Sequence, residues 1–472
     1  MSRVYDLIVV GTGFSAAFFL SEYLREAPNN AKVLVLEKGV NVSHQDQRRM
    51  LAHSPIDYKN SFSKSGMDWK RWQFTLGYGG SSNCWSACVP RMLPSDFELQ
   101  RKYGVGSDWP FDYDELEPYY GEVEAIMGVS GPPDYSLSHR STPFPLPPHQ
   151  FNDPDKLLKK AFPDHYYQQC TARPSEPFGE RPGCCGSNSC HLCPVNAKFT
   201  ILNGLRWPFE DSRVEVQFGA SVHGLVGETD VQGVRYRGSR GEQSALAGNV
   251  VLAANAIFNA DILLRSGHKH PDLGRYLNEQ VSKTVHIDLK GVDNFSGSTL
   301  ITGQGYMFYD GEHRRDRGAV LLEHFNRPSL RLEKGKWRQR MELKFIVEDL
   351  PDRNNYIDSS FGVPRLHFEG FGDYALRSLD SIPSMIEVLS EALPIEGVRL
   401  NKEINPTEAH IQGTVRMANT PEKGVVDSYC RHFSYENLFV LGSSAFPTCP
   451  AANPTLTLSA MAMRSARHLV KG

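Results

Sequence analysis

The chain has 472 residues, of which 40% are hydrophobic and 22% charged, and its formal net charge is −3. This length suits about two domains, and the near-neutral charge gives no reason to expect nucleic acid or an anionic membrane as a partner. No apolar run reaches the roughly 18 residues of a membrane-spanning helix, and no leader is evident at the N-terminus. We therefore expect no membrane insertion and a cytoplasmic location. The alternative is export to the periplasm together with a partner that carries the signal.

The first predicted elements form a βαβ unit that is typical of dinucleotide binding. An apolar strand over residues 7–10 leads into a glycine turn and a helix, and a second apolar strand ends at Glu37. Gly11 permits the tight turn, Gly13 lets the backbone approach a pyrophosphate, and Ala16 allows close packing of helix on strand. Glu37 follows at the distance expected of a residue that binds the ribose hydroxyls. The motif does not distinguish FAD from NAD.

A second glycine-rich segment lies too far along the chain to belong to the first turn. Paired glycines let a backbone lie flat against a ring or a phosphate, and short hydroxyl and amide side chains supply hydrogen-bond donors. An ordinary glycine loop is the alternative interpretation. The candidate cofactor contacts in this segment are Gly79, Gly80, Ser81, Ser82 and Asn83.

Four of the nine cysteines are crowded into one short stretch, as Cys184, Cys185, Cys190 and Cys193. An intracellular location disfavours a disulfide. Zinc usually has paired C-x-x-C ligands and a fourth ligand, for which His191 is the nearby candidate. The C-x4-C-x2-C spacing also suits a loop that wraps an iron-sulfur cluster. The spacing alone leaves these alternatives open.

The next part of the chain, residues 281–404, alternates apolar and polar positions, as in MELKFIVEDL, RLHFEGF and VHIDL. This period of two predicts strands, and helices are predicted between Asp373 and Leu393. The C-terminal stretch, 410–469, reads as a polar loop, a turn, a buried strand, a second loop and a helix.

In this stretch the chain resembles the glucose-methanol-choline (GMC) family of FAD-dependent oxidoreductases, and within it the cysteine-motif sugar dehydrogenases. The resemblance covers nearly the whole length, and its motifs occur in the family's order. They are the N-terminal fingerprint, GGSSN with RMLPSDFE, WPFDYDELEPYYGEVEAIMGVSG, VVLAANAIFNADILLRSG, GRYLNE, VEDLPDRNNYID and the block from HIQGTVRM to CPAANPTLTLSAMAM.

The resemblance implies FAD as the cofactor. Besides the two glycine segments, it places further residues in the FAD site: Val222, Ala253, Gly442, Ser443, Asn453 and Pro454.

The resemblance also implies a catalytic pair, His410 and Asn453. Oxidation of an alcohol removes a hydroxyl proton and sends hydride from the same carbon to flavin N5. A neutral imidazole can accept the proton near neutral pH. A carboxamide cannot ionise, so Asn453 is expected to hold the substrate oxygen by hydrogen bonds.

The expected fold is α/β, with a discontinuous Rossmann-type FAD-binding domain and an α+β substrate domain whose sheet covers the flavin. The FAD domain is expected over residues 1–105, 195–280 and 405–472, and the substrate domain over 281–404. Residues 106–194 form a cap or linker segment that carries the cysteines.

In the sugar dehydrogenases of the family, a related cysteine motif holds a 3Fe-4S cluster. The spacing between the last two cysteines of this motif is one residue shorter in this chain. The resemblance gives Cys185, Cys190 and Cys193 as ligands, with Cys184 as a further candidate. We therefore expect an FAD-dependent dehydrogenase that oxidises a sugar, glycoside or polyol and passes electrons to a small accessory subunit or a cytochrome. The alternatives are an oxygen-using alcohol oxidase without a cluster, action on a hydrophobic or aromatic alcohol, and an FAD-containing lyase.

Overall fold

The computed structural model describes residues 4–49, 58–227 and 230–471. The strands in these ranges are β1 (Val4–Val10), β2 (Val33–Glu37), β3 (Ser63–Gly66), β4 (Tyr166–Gln168), β5 (Val214–Phe218), β6 (Ser221–Val226), β7 (Gly233–Gly238), β8 (Gly241–Leu252), β9 (Val281–Leu289), β10 (Ile301–Phe308), β11 (Val320–Phe325), β12 (Arg340–Val347), β13 (Tyr356–Asp358), β14 (Arg365–Phe368), β15 (Ile395–Leu400) and β16 (Leu438–Val440).

The helices in the same ranges vary from one turn to nearly five turns. They are α1 (Phe14–Glu26), α2 (His44–Arg49), α3 (Pro94–Phe97), α4 (Leu99–Tyr103), α5 (Tyr113–Met127), α6 (Asp153–Ala161), α7 (Ile201–Gly204), α8 (Trp207–Glu210), α9 (Asn255–Arg265), α10 (Asp373–Asp380), α11 (Ile382–Ser390) and α12 (Thr455–Lys471). Among the residues described, none of the helices has both the length and the apolar composition that a bilayer-spanning segment requires.

The first sheet carries the predicted dinucleotide fold. Its order is β5-β2-β1-β8-β7-β6, and β16 also pairs with β8. Strands β1 and β2 and the C-terminal end of β8 are parallel and almost wholly apolar, as expected where helices cover both faces of a sheet. In register, Leu7 lies opposite Val33 and Val9 opposite Val251. These strands come from all three segments predicted for the FAD domain.

Helices α1 and α12 pack against each other and belong to the main hydrophobic core. The N-terminal helix and the C-terminal helix therefore stabilise the same domain, although they are at opposite ends of the sequence. The predicted buried strand and helix of the C-terminal stretch correspond to β16 and α12.

The second sheet has the order β15-β9-β12-β11-β10-β4. The paired neighbours in it are antiparallel. Five strands come from residues 281–404, as predicted for the substrate domain. The sixth, β4, comes from the segment predicted as cap or linker. The α/β fold with a discontinuous Rossmann-type domain and a second, α+β unit is confirmed.

Alternation along β12 gives this sheet two different faces. Met341, Leu343 and Phe345 point into a second hydrophobic core that includes residues of α10 and α11. Glu342 and Lys344 lie at the intervening positions, so they belong to the opposite face. That face turns toward the first domain, where Lys344 meets a loop described below.

The RLHFEGF segment forms a strand as predicted, but not in the second sheet. It is β14, which pairs with β13 and, in parallel, with β3 from the N-terminal part of the chain. This three-stranded sheet joins residues 356–368 of the substrate domain to β3, which follows the first βαβ unit.

A buried arginine ties the substrate domain to the segment that follows the second glycine loop. The Arg314 guanidinium donates to Asp96 at 2.9 Å and to Glu348 at 2.6 and 3.1 Å, and all three side chains are inaccessible to solvent. Two carboxylates around one guanidinium fix its orientation by charge-assisted hydrogen bonds. The network therefore sets the position of β12, after which Glu348 comes, relative to α3.

Candidate active site

A cavity of about 1010 Å³ opens where the parallel strands of the first sheet end. Ligands of open α/β sheets bind outside the carboxyl ends of the strands. The cavity wall includes the residues that directly follow β1, β2, β8 and β16, together with the loop that carries His410. Its size is at the upper end of the range for small-molecule and cofactor sites.

The fingerprint turn has the geometry that its glycines predict. Gly11 has φ +104°, and a Cβ there would lie 2.6 Å from the carbonyl oxygen of Ala253. Gly13 caps α1, lines the cavity, and has no atom within 4 Å of a hypothetical Cβ. The open space at Gly13 lets a ligand approach the backbone at the start of α1, where free N–H groups favour phosphate. The turn therefore fits the pyrophosphate of FAD.

Glu37 lies at the cavity wall at the end of β2, as predicted. Its carboxylate accepts hydrogen bonds from the Thr12 hydroxyl at 2.8 Å and from the backbone N–H groups of Gly39 and Gly77 at 2.7 and 3.2 Å. Burial raises the pKa of Glu37, and these donors oppose that rise. A carboxylate has about four lone-pair positions, so one acceptor position is left for a ribose hydroxyl.

The second glycine segment contributes only part of what was predicted. Gly80 and Ser81 line the cavity. The Ser82 hydroxyl donates to Gly79 at 2.7 Å, and the Asn83 amide donates to Tyr78 and Gly80 at 2.8 and 3.1 Å. These three residues, Gly79, Ser82 and Asn83, maintain the shape of the loop from within. As cofactor contacts they stay predictions.

The other predicted FAD residues fall into two groups. Ala16 is fully buried in α1 and packs in the core, which is the role expected of the third fingerprint position. The remaining residues come from distant parts of the chain and all line the cavity: Val222, Ala253, Gly442, Ser443, Asn453 and Pro454.

His410 lines the same cavity, and its ring is oriented by Gln280. His410 Nδ1 lies 3.1 Å from Gln280 Oε1, while the Gln280 amide nitrogen donates to the carbonyl oxygens of Pro450 and Ala452 at 2.8 and 3.0 Å. Because these carbonyls fix the amide nitrogen, the amide oxygen faces the imidazole and can only accept. Nδ1 therefore carries the hydrogen, and Nε2 is the basic nitrogen.

Burial also lowers the pKa of His410 to about 4, with a raising contribution from Glu408 and a lowering one from Lys344. A positive imidazolium is disfavoured away from water. The ring is thus neutral at any pH well above 4 and is able to accept a proton.

The backbone around His410 is held by the residue before Gln280. The Glu279 carboxylate is buried, pairs with the buried Lys70, and accepts from the N–H groups of Glu408 and His410 at 3.3 and 3.2 Å. Between those two residues, Ala409 has φ +59°, a left-handed conformation that is uncommon for a residue other than glycine. The carboxylate therefore stabilises a turn that places two titratable side chains on the cavity wall.

Asn453 lines the cavity immediately before Pro454 and helix α12. It is 5% exposed, and its Oδ1 has no hydrogen-bond partner among the described residues. A buried amide oxygen without a partner costs free energy unless a ligand satisfies it. The arrangement suits a residue that binds a substrate hydroxyl.

Sequence reasoning missed four residues of this site: Glu279, Gln280, Lys344 and Glu408. GRYLNE ends in Glu279, but the motif gave no reason to assign it a role. Gln280, just before β9, and Lys344, on β12, have no distinguishing pattern in the sequence. The proximity of Glu408 to His410 in the sequence was the one usable signal.

The cysteine stretch lies at a second, much smaller cavity. Cys184, Cys185, Cys190 and Cys193 all line it. None of the nine cysteines forms a disulfide. Among the residues that the structure describes, no three His, Cys, Asp or Glu side chains are arranged to hold a single metal ion.

Two buried cations adjoin this cavity. Lys198 donates to the backbone carbonyls of Asn83, Trp85 and His191, at 2.9, 2.9 and 3.3 Å. Arg173 donates to Thr299 and to Gln169, both at 2.7 Å. Burial lowers the pKa of Lys198 to about 8, and neighbouring thiols act in the opposite direction. Within the described ranges neither cation has a carboxylate partner, so the surroundings favour an anion.

Comparison with known proteins agrees with this geometry. Residues 388–462 match the family model described as GMC oxidoreductase. The chain is 27% identical to the fructose dehydrogenase large subunit of Gluconobacter japonicus over 98% of this chain and 97% of that protein. It is 26% identical to 6'''-hydroxyparomomycin C oxidase of Streptomyces lividus over 99% and 91%.

Among solved structures, pyridoxine 4-oxidase from Mesorbium loti has the same fold, with a TM-score of 0.72 and 16% identity, covering 99% of both chains. The predicted resemblance to the family, the fold and the assignment to oxidoreductases are confirmed. FAD as the cofactor fits the cavity, the fingerprint turn and the family.

Proposed function

We propose that this chain, a member of the glucose-methanol-choline family of FAD-dependent oxidoreductases, oxidises a CH–OH group of a sugar, glycoside or polyol with His410 as the base. The observation that carries the proposal is the neutral imidazole on the wall of the cavity that begins at the fingerprint turn. FAD, when bound there, supplies the acceptor for the hydride that leaves the substrate carbon.

His410 takes the proton from the substrate hydroxyl at Nε2. Gln280 fixes the tautomer that makes this nitrogen basic, so no rearrangement of the ring precedes proton transfer. As the ring becomes positive, the Gln280 oxygen stays within hydrogen-bond distance of Nδ1 and stabilises the charge. Glu408, whose charge raises the pKa of His410, also favours the protonated ring.

Asn453 holds the substrate oxygen. Its unpartnered Oδ1 accepts a hydroxyl hydrogen, and its amide nitrogen is a donor for an oxygen that gains negative charge as the proton leaves. Together the imidazole and the carboxamide restrict the orientation of the C–O bond, which lowers the entropic part of the barrier.

A polyhydroxylated substrate is favoured for two reasons. The fructose dehydrogenase large subunit is named for a sugar. The cavity wall next to His410 also carries the Glu408 carboxylate, which contacts Lys344 and Ser282 behind it.

The test is anaerobic mixing of the FAD-loaded protein with a panel of sugars, polyols and simple alcohols. Bleaching of the flavin absorbance by a sugar or polyol is expected, and His410→Ala is expected to slow it by about 10²–10⁴-fold. Bleaching by hydrophobic alcohols alone would contradict the substrate class. No bleaching by any member would contradict the dehydrogenase assignment and favour the lyase alternative. Rapid peroxide formation in air would favour an oxidase.

We further propose that the cysteine cavity holds a 3Fe-4S cluster, which would carry electrons singly to a partner. Four thiols around one cavity provide the donor set, and two buried cations without carboxylate partners suit an anionic group. The thiolates of a cluster bind several irons, so they need not converge on one point as ligands of a single ion do. A partner subunit or cytochrome is consistent with the name of the fructose dehydrogenase large subunit.

Iron and acid-labile sulfide analysis of anaerobically purified protein tests this proposal. About three irons per chain with a low-temperature EPR signal are expected, and Cys190→Ser should remove both. Protein that retains FAD but contains neither iron nor sulfide would refute the cluster and leave the proposed alcohol oxidation standing.

A further inference from the structure

The turn that carries His410 presents a second side chain to the same cavity. Glu408 and His410 both line it, on either side of the left-handed Ala409. In the proposed chemistry Glu408 acts only through its charge on the imidazole. We infer that the Glu408 carboxylate binds a hydroxyl group of the substrate next to the reacting carbon, and that it thereby selects neutral polyhydroxylated substrates. The inference rests on the proposed alcohol oxidation.

The carboxylate is fixed in place but has free acceptor positions. Its Oε2 accepts from Lys344 Nζ at 2.5 Å, and its Oε1 accepts from the Ser282 hydroxyl. Ser282 is held in turn by Asn405, whose amide donates to the hydroxyl at 2.8 Å. About two of the four lone-pair positions of Glu408 are left for a ligand. A hydroxyl donor to a carboxylate makes a short, strong hydrogen bond.

The surroundings make this acceptor rigid. The Glu408 side chain is 5% exposed, and the backbone N–H of Glu408 donates to Glu279 at 3.3 Å. Lys344 projects from β12 and is therefore anchored in the second sheet. Preorganised groups of this kind discriminate well, because a substrate lacking the matching hydroxyl leaves a buried acceptor unsatisfied.

The charges behind the wall determine which substrates are accepted. Glu323 on β11 lies directly opposite Lys344 in the sheet register, so the lysine stands between two carboxyl groups. Burial raises the pKa of Glu323 to about 7, so Lys344 pairs mainly with Glu408. An anionic substrate group at this wall would face the Glu408 carboxylate. Sugar acids and phosphorylated sugars are disfavoured there by like-charge repulsion, whereas neutral hydroxyl donors are accepted.

A structural role is the alternative that the experiment must exclude. The Glu408–Lys344 pair could simply attach the loop to the sheet. Loss of such an attachment would affect every substrate equally and would lower FAD retention. Loss of a substrate contact affects one hydroxyl of one substrate.

The decisive measurement compares a sugar that the wild type binds with deoxy analogues that each lack one hydroxyl. Binding is measured by isothermal titration calorimetry on FAD-loaded protein in the His410→Ala background, which separates affinity from turnover. One deoxy analogue is expected to bind at least about 10-fold more weakly than the sugar. Addition of Glu408→Met, which removes both acceptor oxygens, should abolish that difference, so that both ligands bind with similar, weak affinity. Glu403→Met, the same change at an exposed position of the segment, is the matched control and should preserve the difference.

Persistence of the same deoxy discrimination in the Glu408→Met protein would overturn the inference, even with normal FAD content. Sugar that binds as described but never reduces the flavin of the wild type would overturn the proposed oxidation alone. A wild type that binds no sugar at all would overturn both.

Discussion

Replacement of Gln280 by glutamate tests how the structure prepares His410 for proton transfer. The amide oxygen lies 3.1 Å from His410 Nδ1, so the variant places a carboxylate oxygen at about that distance. Two unit charges this close interact by about 5 kcal/mol at an effective dielectric constant near 20. Desolvation of the new carboxylate offsets much of this, and shifts of about 1–3 pKa units are usual for such pairs.

The sign of the change follows from which form of the ring is stabilised. The carboxylate favours the imidazolium, so the pKa of His410 should rise from about 4 to roughly 5–7. The base is active only when neutral. The acidic limb of the pH profile should therefore move to higher pH by the same amount, whereas the wild type should keep nearly full kcat/KM down to about pH 5 and half of it near pH 4.

The assay is kcat/KM for flavin reduction, measured anaerobically by stopped flow between pH 3.5 and 9. Gln280→Met is the control, since it removes the acceptor without adding charge, and its limb should not move upward. Both variants lose the amide donations to Pro450 and Ala452, so each should be less stable by about 1–3 kcal/mol for each carbonyl left without a donor. FAD content and Tm are measured alongside. An unchanged acidic limb in FAD-loaded Gln280→Glu protein would refute the assigned role of Gln280.

Three further predictions concern single positions. Gly11→Ala should lose FAD and lower Tm, since its φ of +104° and the 2.6 Å approach to Ala253 exclude a Cβ; FAD retention on desalting checks this, and retained cofactor would contradict it. Arg314→Met should lower the free energy of unfolding by about 3–5 kcal/mol, because two carboxylates are left buried without a counter-charge. A denaturant titration that shows a decrease of less than about 1 kcal/mol in this free energy would contradict the proposed importance of the network. Asn453→Ala should reduce kcat by about 10²–10³-fold with FAD still bound, and a rise in KM with unchanged kcat would instead indicate a role in binding alone.

Much of the fold could be read from the sequence because its signals are local. A strand, a glycine turn and a helix occupy 23 consecutive residues from Val4 to Glu26. The residue types in this segment predict the backbone conformation of each element. Period-two alternation likewise predicted β9 and β12. The order of the family's motifs then located His410 and Asn453, which do lie on one cavity.

The chain itself could not reveal the partners of those residues. Gln280 lies 130 residues before His410, and Lys344 lies 64 residues before Glu408. In the sequence, a glutamine that fixes the tautomer of a histidine cannot be distinguished from a glutamine on the surface. The role of Gln280 follows from the carbonyl groups of Pro450 and Ala452, which orient its amide.

The sequence by itself determined the cofactor fold and which residue we propose as the base, because short-range backbone geometry and motif order are properties of neighbouring residues. Only the tertiary structure decided the protonation and orientation of His410, and which side chains surround it. Desolvation and hydrogen bonding depend on atoms that folding brings together from distant parts of the chain. For the same reason the sequence could not show that Ser82 donates to Gly79 and that Asn83 donates to Tyr78 and Gly80.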